Sequence, residues 1–459
     1  MKVAFHTLGC KVNQYETEAM AEMFRDRGYT VVDEREFADV YVINTCTVTA
    51  VADRKSRQYI RRMKKVNPGA VVAVTGCYAQ VEPEEIASME EVDVVTGTNE
   101  KASLVSYIEE YMEDRKRSIH VRSYEELSPY EETGIVTSAE NRTRAYIKIQ
   151  EGCDRFCSYC VIPYARGAAR SRSLKDIEEE AKKLLSMGYK ELVLTGINTA
   201  LYDMESMSLW KAAAGEEKNM PSEPFGVEKV IEAVNRLPGD FRIRLSSLEP
   251  AVVNGEYVKR LFKYDRLCRH LHLSAQSGSD RVLAAMNRPY SRKQYMEIVK
   301  TLRDFDPLYG ISTDIIVGFP GEREADFEES RSLVEESVFC RTHIFKYSKR
   351  PFTDAAKLPG HVAPQVKNRR SDSLHKTGYE TAERFFRMNE GRVERVLFEE
   401  YFEREKILTG HTGNYIRVYI SCESPQKGRA LCGTFADVRL ISPERDGMRG
   451  KGIFGEKSI

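Results

Sequence analysis

Short apolar runs alternate with helical patterns along most of the chain, and this alternation constrains the fold more than any other feature. In the first third, the strand-like runs are KVAFHTLGC, DVYVINTC and AVVAVTGC. After the first run, Tyr15, Ala19 and Met23 form an apolar stripe at helical spacing. Strands that alternate with helices predict an α/β fold with a parallel sheet, in which ligands bind beyond the carboxyl ends of the strands.

The alternation resumes at about Arg144 and changes character after about His375. Six further strand-like runs, from AYIKIQEGC to THIFKYS, predict a parallel α/β barrel, complete or partial, with a loop insertion between Tyr202 and Phe225. Later runs such as YIRVYIS alternate with period two and predict a small β-barrel. The predicted division is an N-terminal domain (1–113), a linker (114–138), a central barrel (139–372), a C-terminal β-barrel (375–442) and a mobile tail (443–459).

Composition and charge narrow the class of protein. The 459 residues include 70 basic and 70 acidic side chains, so a nucleic-acid partner would have to be held by local basic patches. No apolar run reaches the roughly 18 residues of a membrane span, and the first residues show no signal-peptide pattern, so we expect a cytoplasmic protein without membrane association. Ten cysteines are too sparse for a disulfide scaffold, so clustered cysteines favour metal binding or catalysis.

The segment EGCDRFCSYCVIP holds three cysteines, Cys153, Cys157 and Cys160, at the spacing C-x3-C-x2-C. Zinc sites usually complete a tetrahedron with four Cys or His ligands, and no fourth such residue lies near this triplet in the sequence. A four-iron cluster normally takes one thiolate per iron, so three thiolates leave one iron open to a chelating small molecule. The triplet therefore favours an iron–sulfur cluster, with a structural zinc site or a chance grouping as the alternatives.

This triplet resembles the signature of the radical S-adenosylmethionine (SAM) enzymes. The resemblance implies a [4Fe–4S] cluster whose open iron binds SAM, and an electron from the reduced cluster that cleaves SAM to a 5′-deoxyadenosyl radical. It also implies SAM contacts near the cluster and at the ends of the barrel strands, where ordinary strand-to-helix turns are the alternative. The residues expected to bind the cofactor are Tyr159, Gly196, Glu249, Gln276 and Ser277.

A second set of cysteines ends the three N-terminal strand-like runs. Cys10, Cys46 and Cys77 lie 36 and 31 residues apart, about one strand–helix unit each, so they can converge at one edge of the sheet. Soft sulfur suits an iron–sulfur site, so the set favours a second three-thiolate cluster whose open iron carries a sulfur species. Three small buried core residues are the alternative. No role is assigned to the four remaining cysteines, which are not clustered in the sequence: Cys268, Cys340, Cys422 and Cys432.

The segments TLGCKVNQYE, VINTCTVT, VTGCYAQ and GCDRFCSYCVIPYARG together resemble the methylthiotransferases, and the resemblance covers roughly residues 1 to 440. The most similar branch modifies N6-threonylcarbamoyladenosine next to the tRNA anticodon, while close relatives act on isopentenyladenosine or on a ribosomal protein. The resemblance implies an enzyme with two [4Fe–4S] clusters, which uses two SAM molecules and a sulfur source to methylthiolate carbon 2 of the adenine. It also implies the anticodon stem-loop and an electron donor such as flavodoxin or ferredoxin as partners, with no catalytic residue beyond the cluster ligands.

Side chains that would hold RNA are expected on a basic helix, beside the cysteine triplet and in the C-terminal β-barrel, which resembles the TRAM RNA-binding domain. Arginines would contact phosphates, and an aromatic ring would stack on an unpaired base. A solvated helix face, ion pairs with nearby acids for Arg166, and plain packing are the alternatives. A zinc-dependent RNA-binding module without catalysis is the rival function. The candidates are Arg54, Arg57 and Arg61 on the helix, Arg166 beside the triplet, and Tyr415 and Arg417 in the β-barrel.

Overall fold

The N-terminal domain is a parallel sheet covered by helices on both faces. The computed structural model describes residues 1–127, 130–134, 143–204, 221–250 and 252–453. The sheet has six strands in the order β2-β1-β3-β4-β5-β6, and buried valines on both faces of its central strands form two separate apolar cores. The elements are β1 (Lys2–Thr7), α1 (Lys11–Asp26), β2 (Thr30–Val32), β3 (Val40–Thr45), α2 (Ala50–Val66), β4 (Val71–Gly76), α3 (Cys77–Val81), α4 (Pro83–Ala87), β5 (Val94–Thr96), α5 (Leu104–Asp114) and β6 (Ser118–His120).

The last strand of this sheet falls in the segment predicted as a linker from residue 114. β6 pairs in parallel with β5, with Val95 opposite Ile119, so the domain extends to His120. The strand is three residues long and lies in a charged stretch, so it carries no apolar run that the sequence pattern would reveal. Of the remaining predicted linker, 128–129 and 135–138 lie outside the described residues, and 130–134 have no regular structure.

The central region is an open α/β barrel, which confirms the prediction of a partial barrel. Two four-stranded sheets have the orders β10-β9-β7-β8 and β11-β12-β13-β14, and a large apolar core lies between the strands and the outer helices. Part of the predicted insertion, 205–220, lies outside the described residues. The elements are β7 (Arg144–Glu151), α6 (Ile162–Arg166), β8 (Arg170–Ser171), α7 (Leu174–Ser186), β9 (Glu191–Gly196), α8 (Val227–Asn235), β10 (Arg242–Leu245), β11 (Ser247–Leu248), α9 (Gly255–Leu261), β12 (His270–Leu273), α10 (Asp280–Ala285), α11 (Arg292–Phe305), β13 (Gly310–Val317), α12 (Glu324–Ser337) and β14 (Arg341–Lys346).

A long helix leads into a closed five-stranded β-barrel at the C-terminus. The helix crosses the predicted boundary at 372–375, and the first barrel strand begins only at Val393. The barrel order is β15-β16-β17-β19-β18, which confirms the small β-barrel of the predicted fold class. The elements are α13 (Pro364–Met388), β15 (Val393–Phe402), β16 (Ile407–His411), β17 (Arg417–Ser421), α14 (Pro425–Leu431), β18 (Phe435–Glu444) and β19 (Gly447–Ile453).

The prediction of a mobile tail from residue 443 is wrong for residues 443–453. β19 pairs antiparallel with β18 and parallel with β17, and so closes the barrel. The strand has few apolar side chains because glycine is needed where it crosses the core: a Cβ at Gly450 would lie 2.5 Å from Val438 Cγ1 and 2.6 Å from Val418 Cγ1. Close packing of backbone against side chains therefore replaces the apolar pattern that identifies most strands.

The three regions pack against one another around the open side of the central barrel. Tyr15 and Ala19 of α1 contact Tyr146 of β7, so a helix of the N-terminal domain lies against the barrel strands. At the other end, the Arg244 guanidinium donates to the backbone carbonyl of Thr412, at 3.1 Å, in the loop before β17. The described helices include none that is both long and apolar enough to cross a membrane.

Candidate active site

Three cysteines of the N-terminal domain lie at the carboxyl ends of neighbouring strands. Cys10 follows β1 and precedes α1, Cys46 follows β3, and Cys77 follows β4 as the first residue of α3. Because β1, β3 and β4 are adjacent and parallel, the three thiols meet at one edge of the sheet. Burial raises the pKa of the Cys46 thiol to about 12, and the nearby thiols of Cys77 and Cys10 add to the rise. We call these residues the auxiliary trio.

Glycines and asparagines hold the strand ends of the auxiliary trio in place. Gly9 and Gly76 adopt φ of +109° and +96°, and a Cβ on Gly9 would lie 2.7 Å from Cys46 Cβ. The Asn13 amide donates to the carbonyls of Leu8 and Thr45, at 2.7 and 2.9 Å, and so ties the loop after β1 to the end of β3. The trio therefore depends on contacts between segments far apart in the sequence.

The other three cysteines, Cys153, Cys157 and Cys160, share one loop between β7 and α6, and we call them the loop trio. Burial raises the pKa of Cys160 to about 12 and also raises the pKa of Cys153. Gly152, with φ of +71°, starts the loop; a Cβ there would lie 1.9 Å from the Ala168 carbonyl oxygen. Ser158 fixes the middle of the loop, since its hydroxyl donates to the carbonyl of Ala285 at 2.7 Å.

Neither trio has the geometry of a site for one zinc ion. Zn–S bonds of about 2.3 Å would bring three sulfur atoms within roughly 4 Å of one another. Among the residues that the structure describes, neither trio brings its three Sγ atoms within 4.8 Å of one another. A cubane cluster does not require such close sulfur atoms, because each thiolate binds a different iron.

Polar residues from four strand ends and loops surround the loop trio. The Glu249 carboxylate accepts from Arg288 and from the Asn198 amide, and it lies 3.4 Å from Arg155 Nε. Arg288 also donates to the Tyr159 hydroxyl at 2.8 Å. Two buried polar atoms in this group, Asn198 Oδ1 and Arg288 Nε, have no hydrogen-bond partner among the described residues. Such unsatisfied groups fit a polar ligand beside the trio.

The sequence missed Arg288, Arg155 and Asn198 as members of this group. Asn198 lies two residues after Gly196, which ends β9 and is itself a predicted cofactor contact, so its position was a usable signal. Arg155 lies inside the cysteine loop, but a charged residue in a loop usually faces solvent. Arg288 follows α10 and reaches the site only through the tertiary fold, so its sequence neighbours gave no indication.

The predicted cofactor-binding residues differ in whether their side chains are free to contact a ligand. Tyr159 packs against a small apolar cluster beside the loop trio. The Gln276 side-chain amide has no hydrogen-bond partner in the described part of the chain, and its backbone has φ of +65°. A Cβ on Gly196 would lie 3.0 Å from Gln150 Cβ, so a close backbone approach explains this glycine. The prediction that Ser277 binds the cofactor is wrong. Its hydroxyl forms a hydrogen bond with the hydroxyl of Ser330 in α12, at 3.2 Å, and is therefore turned away from the site.

Arg166 is fully buried between the auxiliary trio and the end of β7, where it pairs with acids, so the prediction that it contacts RNA is wrong. Its guanidinium donates to Cys77 Sγ at 3.2 Å and to both oxygens of Glu16, at 2.8 and 3.1 Å. It also donates to Glu151 at 2.5 Å. Burial alone would raise the pKa of Glu16, but Arg166, Lys101 and Lys148 together hold that pKa well below its usual value. The arginine of YARG therefore forms an ionic bridge between the two domains.

The expected RNA-binding side chains have different surroundings. On α2, Arg54 and Arg61 are exposed and have no ion-pair partner in the described ranges, whereas Arg57 bonds Glu85 at 3.0 Å. The prediction that Tyr415 contacts RNA is wrong. Tyr415 precedes β17, and its ring packs at a tilt against His270 and lies under Arg244, at 4.4 and 4.8 Å from the ring centroid. It also stacks on His411 of β16, so its ring is occupied by protein side chains. Arg417 lies over the Tyr419 ring at 5.3 Å.

Comparison with known proteins agrees with this geometry. Residues 2–97 match the uncharacterized protein family UPF0004, and residues 147–334 match the radical SAM superfamily. The threonylcarbamoyladenosine tRNA methylthiotransferase MtaB of Bacillus subtilis (strain 168) is 41% identical over 91% of this chain and 89% of its own. The corresponding protein of Aquifex aeolicus (strain VF5) is 38% identical over 92% of this chain and 100% of its own.

A second group of relatives carries a different substrate in its name. The tRNA-2-methylthio-N(6)-dimethylallyladenosine synthase of Clostridium botulinum (strain Okra / Type B1) is 35% identical over 86% of this chain and 85% of its own. Among solved structures, the radical SAM methyltransferase TsrM from Kitasatospora setae has a TM-score of 0.52, with 15% identity over 77% of this chain and 73% of its own. That likeness concerns the fold alone.

The open barrel with a cysteine trio on the loop after its first strand defines a radical SAM enzyme. The chain belongs to the family of radical SAM tRNA methylthiotransferases. It is therefore a transferase of sulfur-containing groups that uses SAM and [4Fe–4S] clusters and acts on tRNA. The rival interpretation as a zinc-dependent module without catalysis does not hold.

Proposed function

We propose that this enzyme methylthiolates carbon 2 of N6-threonylcarbamoyladenosine at position 37 of tRNA, beside the anticodon. The observation that carries the proposal is the packing of the auxiliary trio against the segment that follows the loop trio. Cys77 and Val81 of α3 form one buried apolar cluster with Val161 and Ala165, which follow Cys160, so the two cluster sites would lie close together across the domain contact. The names of the relatives with 38–41% identity support the choice of substrate.

The residues of each trio would hold one cluster. When bound, the two clusters and SAM supply the electron transfer, hydrogen abstraction and sulfur delivery that the reaction needs. The unpaired Asn198 Oδ1 and Arg288 Nε would hydrogen-bond SAM, and the free amide of Gln276 would add a further contact. Glu249 would orient Asn198 and Arg288, which it already binds.

The N-terminal domain and the C-terminal β-barrel would hold the anticodon stem-loop. The exposed, unpaired Arg54 and Arg61 of α2 would contact phosphates, because such contacts give affinity without sequence reading. Arg417 would add a contact from the β-barrel. An external donor such as flavodoxin or ferredoxin would supply electrons, and a separate sulfur source would reload the auxiliary site. The reaction would take place in the cytoplasm, where the tRNA substrate is found.

The proposal is tested by the substrate choice of the reconstituted enzyme. Anticodon stem-loops that carry N6-threonylcarbamoyladenosine or N6-dimethylallyladenosine are incubated with the anaerobically reconstituted protein, SAM, sulfide and a reductant, and the nucleosides are analysed by mass spectrometry. We expect the 2-methylthio product from the threonylcarbamoyl substrate alone. Product from the dimethylallyl substrate alone, or from neither, would refute the proposed substrate.

A further inference from the structure

The open barrel encloses a polar chamber, formed by inward-facing side chains of its strands. The Ser312 hydroxyl lies 2.9 Å from His270 Nε2 and 2.9 Å from His272 Nδ1, and the Asp314 carboxylate lies 3.0 Å from His272 Nε2. His343 on the neighbouring strand has its ring 5.8 Å from that of His272. The alternate residues of these strands, such as Leu271 and Ile311, belong to the apolar core, so the polar residues line the inside. We call His270, His272, Ser312, Asp314 and His343 the chamber residues.

The chamber adjoins the loop-trio site at one end and the C-terminal domain at the other. The Gln276 backbone N–H donates to the Asp314 carbonyl at 2.8 Å, so the predicted cofactor contact sits directly beside the chamber. At the far end, the Tyr415 ring of the C-terminal domain packs on His270 and Arg244. A substituent on a base held at the cofactor site would therefore enter a polar space, which is open to solvent at His343.

Two donors face the chamber without a partner. Lys11, directly after Cys10, interacts electrostatically with Tyr415, Arg244 and Arg144, and also with His343. Within the described part of the chain, neither the Lys11 amine nor the His343 ring makes a hydrogen bond or ion pair. Nδ1 of His270 is also buried without a partner.

The charges around Lys11 leave it without a counter-ion. Glu191, the acid facing Lys11, already binds Arg244 at 3.0 Å and Arg242 at 2.5 Å. Lys11 is only partly exposed, so an anion bound beside its amine would interact with it in surroundings that screen charge less than bulk water does.

A divalent metal ion is the alternative ligand for the chamber residues. Ligand atoms of His272, Asp314 and His343 lie within 4.8 Å of one another, which is close enough for one ion. However, His343 faces the positive charges of Arg341 and Lys11 as well as the negative charge of Asp314, and Arg244 and Arg144 lie around Lys11. These cations outnumber the Asp314 carboxylate, so together they favour an anion over a further cation.

We propose that the chamber binds the carboxylate of the threonyl group on the substrate base, with Lys11 as its counter-ion and His343 as a hydrogen-bond donor. This inference rests on the proposed function. In adenine, N6 is three bonds from C2, so a base that presents C2 at the cofactor site can place its N6 substituent in the adjoining chamber. A dimethylallyl group carries no charge and would leave Lys11 unpaired, so the same residues select between the two substrates.

The test compares anticodon stem-loops that carry either the threonyl acid or its neutral threonine amide. Fluorescence anisotropy gives Kd, and mass spectrometry gives the methylthio product. We expect wild type to bind the acid about tenfold to a hundredfold more tightly than the amide, as for hydrogen bonds to charged groups. Lys11→Met and His343→Leu should each lose most of this preference. The control Lys175→Met, on the outer helix α7, should keep it.

Each other outcome has a definite meaning. If wild type prefers the acid and both variants keep that preference, or if wild type binds acid and amide equally but methylthiolates both, the chamber inference is overturned while the proposed function stands. If wild type modifies neither stem-loop, the proposed function itself fails. A metal beyond the cluster iron that disappears in His343→Leu would show a metal site instead. Iron content and 5′-deoxyadenosine formation, measured on both variants, detect a fault in the clusters, and His343→Leu tests the chamber away from Cys10.

Discussion

The two cysteine trios are built in opposite ways. The loop trio comes from eight consecutive residues, 153–160, whose loop is tied to the helix end near Ala285. The auxiliary trio comes from three strand ends, and its geometry depends on the pairing of β1, β3 and β4. A local motif can be recognised from its spacing, whereas a dispersed one exists only after the sheet has formed. Substitutions that affect one trio and not the other therefore test whether the two trios are independent sites.

Removal of one cysteine from each trio should have the largest effect. We expect Cys153→Ala and Cys46→Ala each to lose about half of the roughly eight irons, since each cluster holds about four. Cys153→Ala should form no 5′-deoxyadenosine, whereas Cys46→Ala should still form it but transfer no methylthio group. Cys268→Ala removes a buried cysteine outside both trios and is the control. Loss of all iron from either trio variant would contradict two independent sites.

Arg166→Met should produce the next largest effect, because it leaves Glu16 and Glu151 buried with less positive charge. We expect the free energy of unfolding of the cluster-free protein to fall by about 3–5 kcal/mol. Arg166→Lys keeps the charge and should cost less. The exposed pair of Arg331 with Glu335 provides the control, since Arg331→Met should cost at most about 1 kcal/mol. Chemical denaturation under anaerobic conditions measures the free energy of unfolding of all three variants. An equal loss of stability in Arg166→Met and Arg331→Met would rule out the ionic bridge.

The pH dependence of the same variant follows from the low pKa of Glu16. A carboxyl whose pKa is depressed in the folded state stabilises the protein above its unfolded pKa, about 4.3, and loses this contribution as the pH falls through the folded value. The stability difference between wild type and Arg166→Met should therefore be full at pH 7 and shrink as the pH falls below about 4. A difference that stays constant down to the acid limit would show that Glu16 is not involved.

Gly76→Ala should disrupt the auxiliary trio while it leaves the loop trio intact. Its Cβ would lie 2.5 Å from both Asn44 Oδ1 and the Thr45 carbonyl oxygen, at φ of +96°. Gly28→Ala is the matched control, because Gly28 has φ of +82° but open space around it. Both changes carry about 1–3 kcal/mol of backbone strain, and only the first moves a strand end. Iron analysis should show loss in Gly76→Ala alone; equal retention of iron would show that the strand end tolerates the shift.

The smallest effect is expected on the RNA-binding surface. The double variant Arg54→Gln with Arg61→Gln should bind any anticodon stem-loop about threefold to thirtyfold more weakly. The slope of the logarithm of the binding constant against the logarithm of the salt concentration should fall by up to about two, which corresponds to two lost phosphate contacts. The iron content of both trios should not change. Anisotropy titrations at several salt concentrations measure this, with Arg236→Gln plus Arg331→Gln, which also removes two positive charges, as the control. An effect confined to one stem-loop sequence would argue against phosphate contacts.

The sequence predicted those parts that depend on local pattern, and it failed where the fold supplies the partners. The alternation of strands and helices and the cysteine spacings gave the fold class and the two trios. The predicted RNA contact of Arg166 fails because only the fold brings Glu16 and Glu151 around its guanidinium. The predicted RNA contact of Tyr415 fails because the docking of the C-terminal domain on Arg244 has no sequence pattern.

The most direct test of an open iron at each trio is electron paramagnetic resonance of two triple variants, one with the auxiliary cysteines changed to alanine and one with the loop cysteines changed. SAM should alter the spectrum of the cluster that the loop trio retains, and added sulfide or methanethiol should alter the spectrum of the one that the auxiliary trio retains. An unchanged spectrum in either case, or a signal typical of four thiolate ligands, would contradict the vacant coordination site on which the proposed reaction depends.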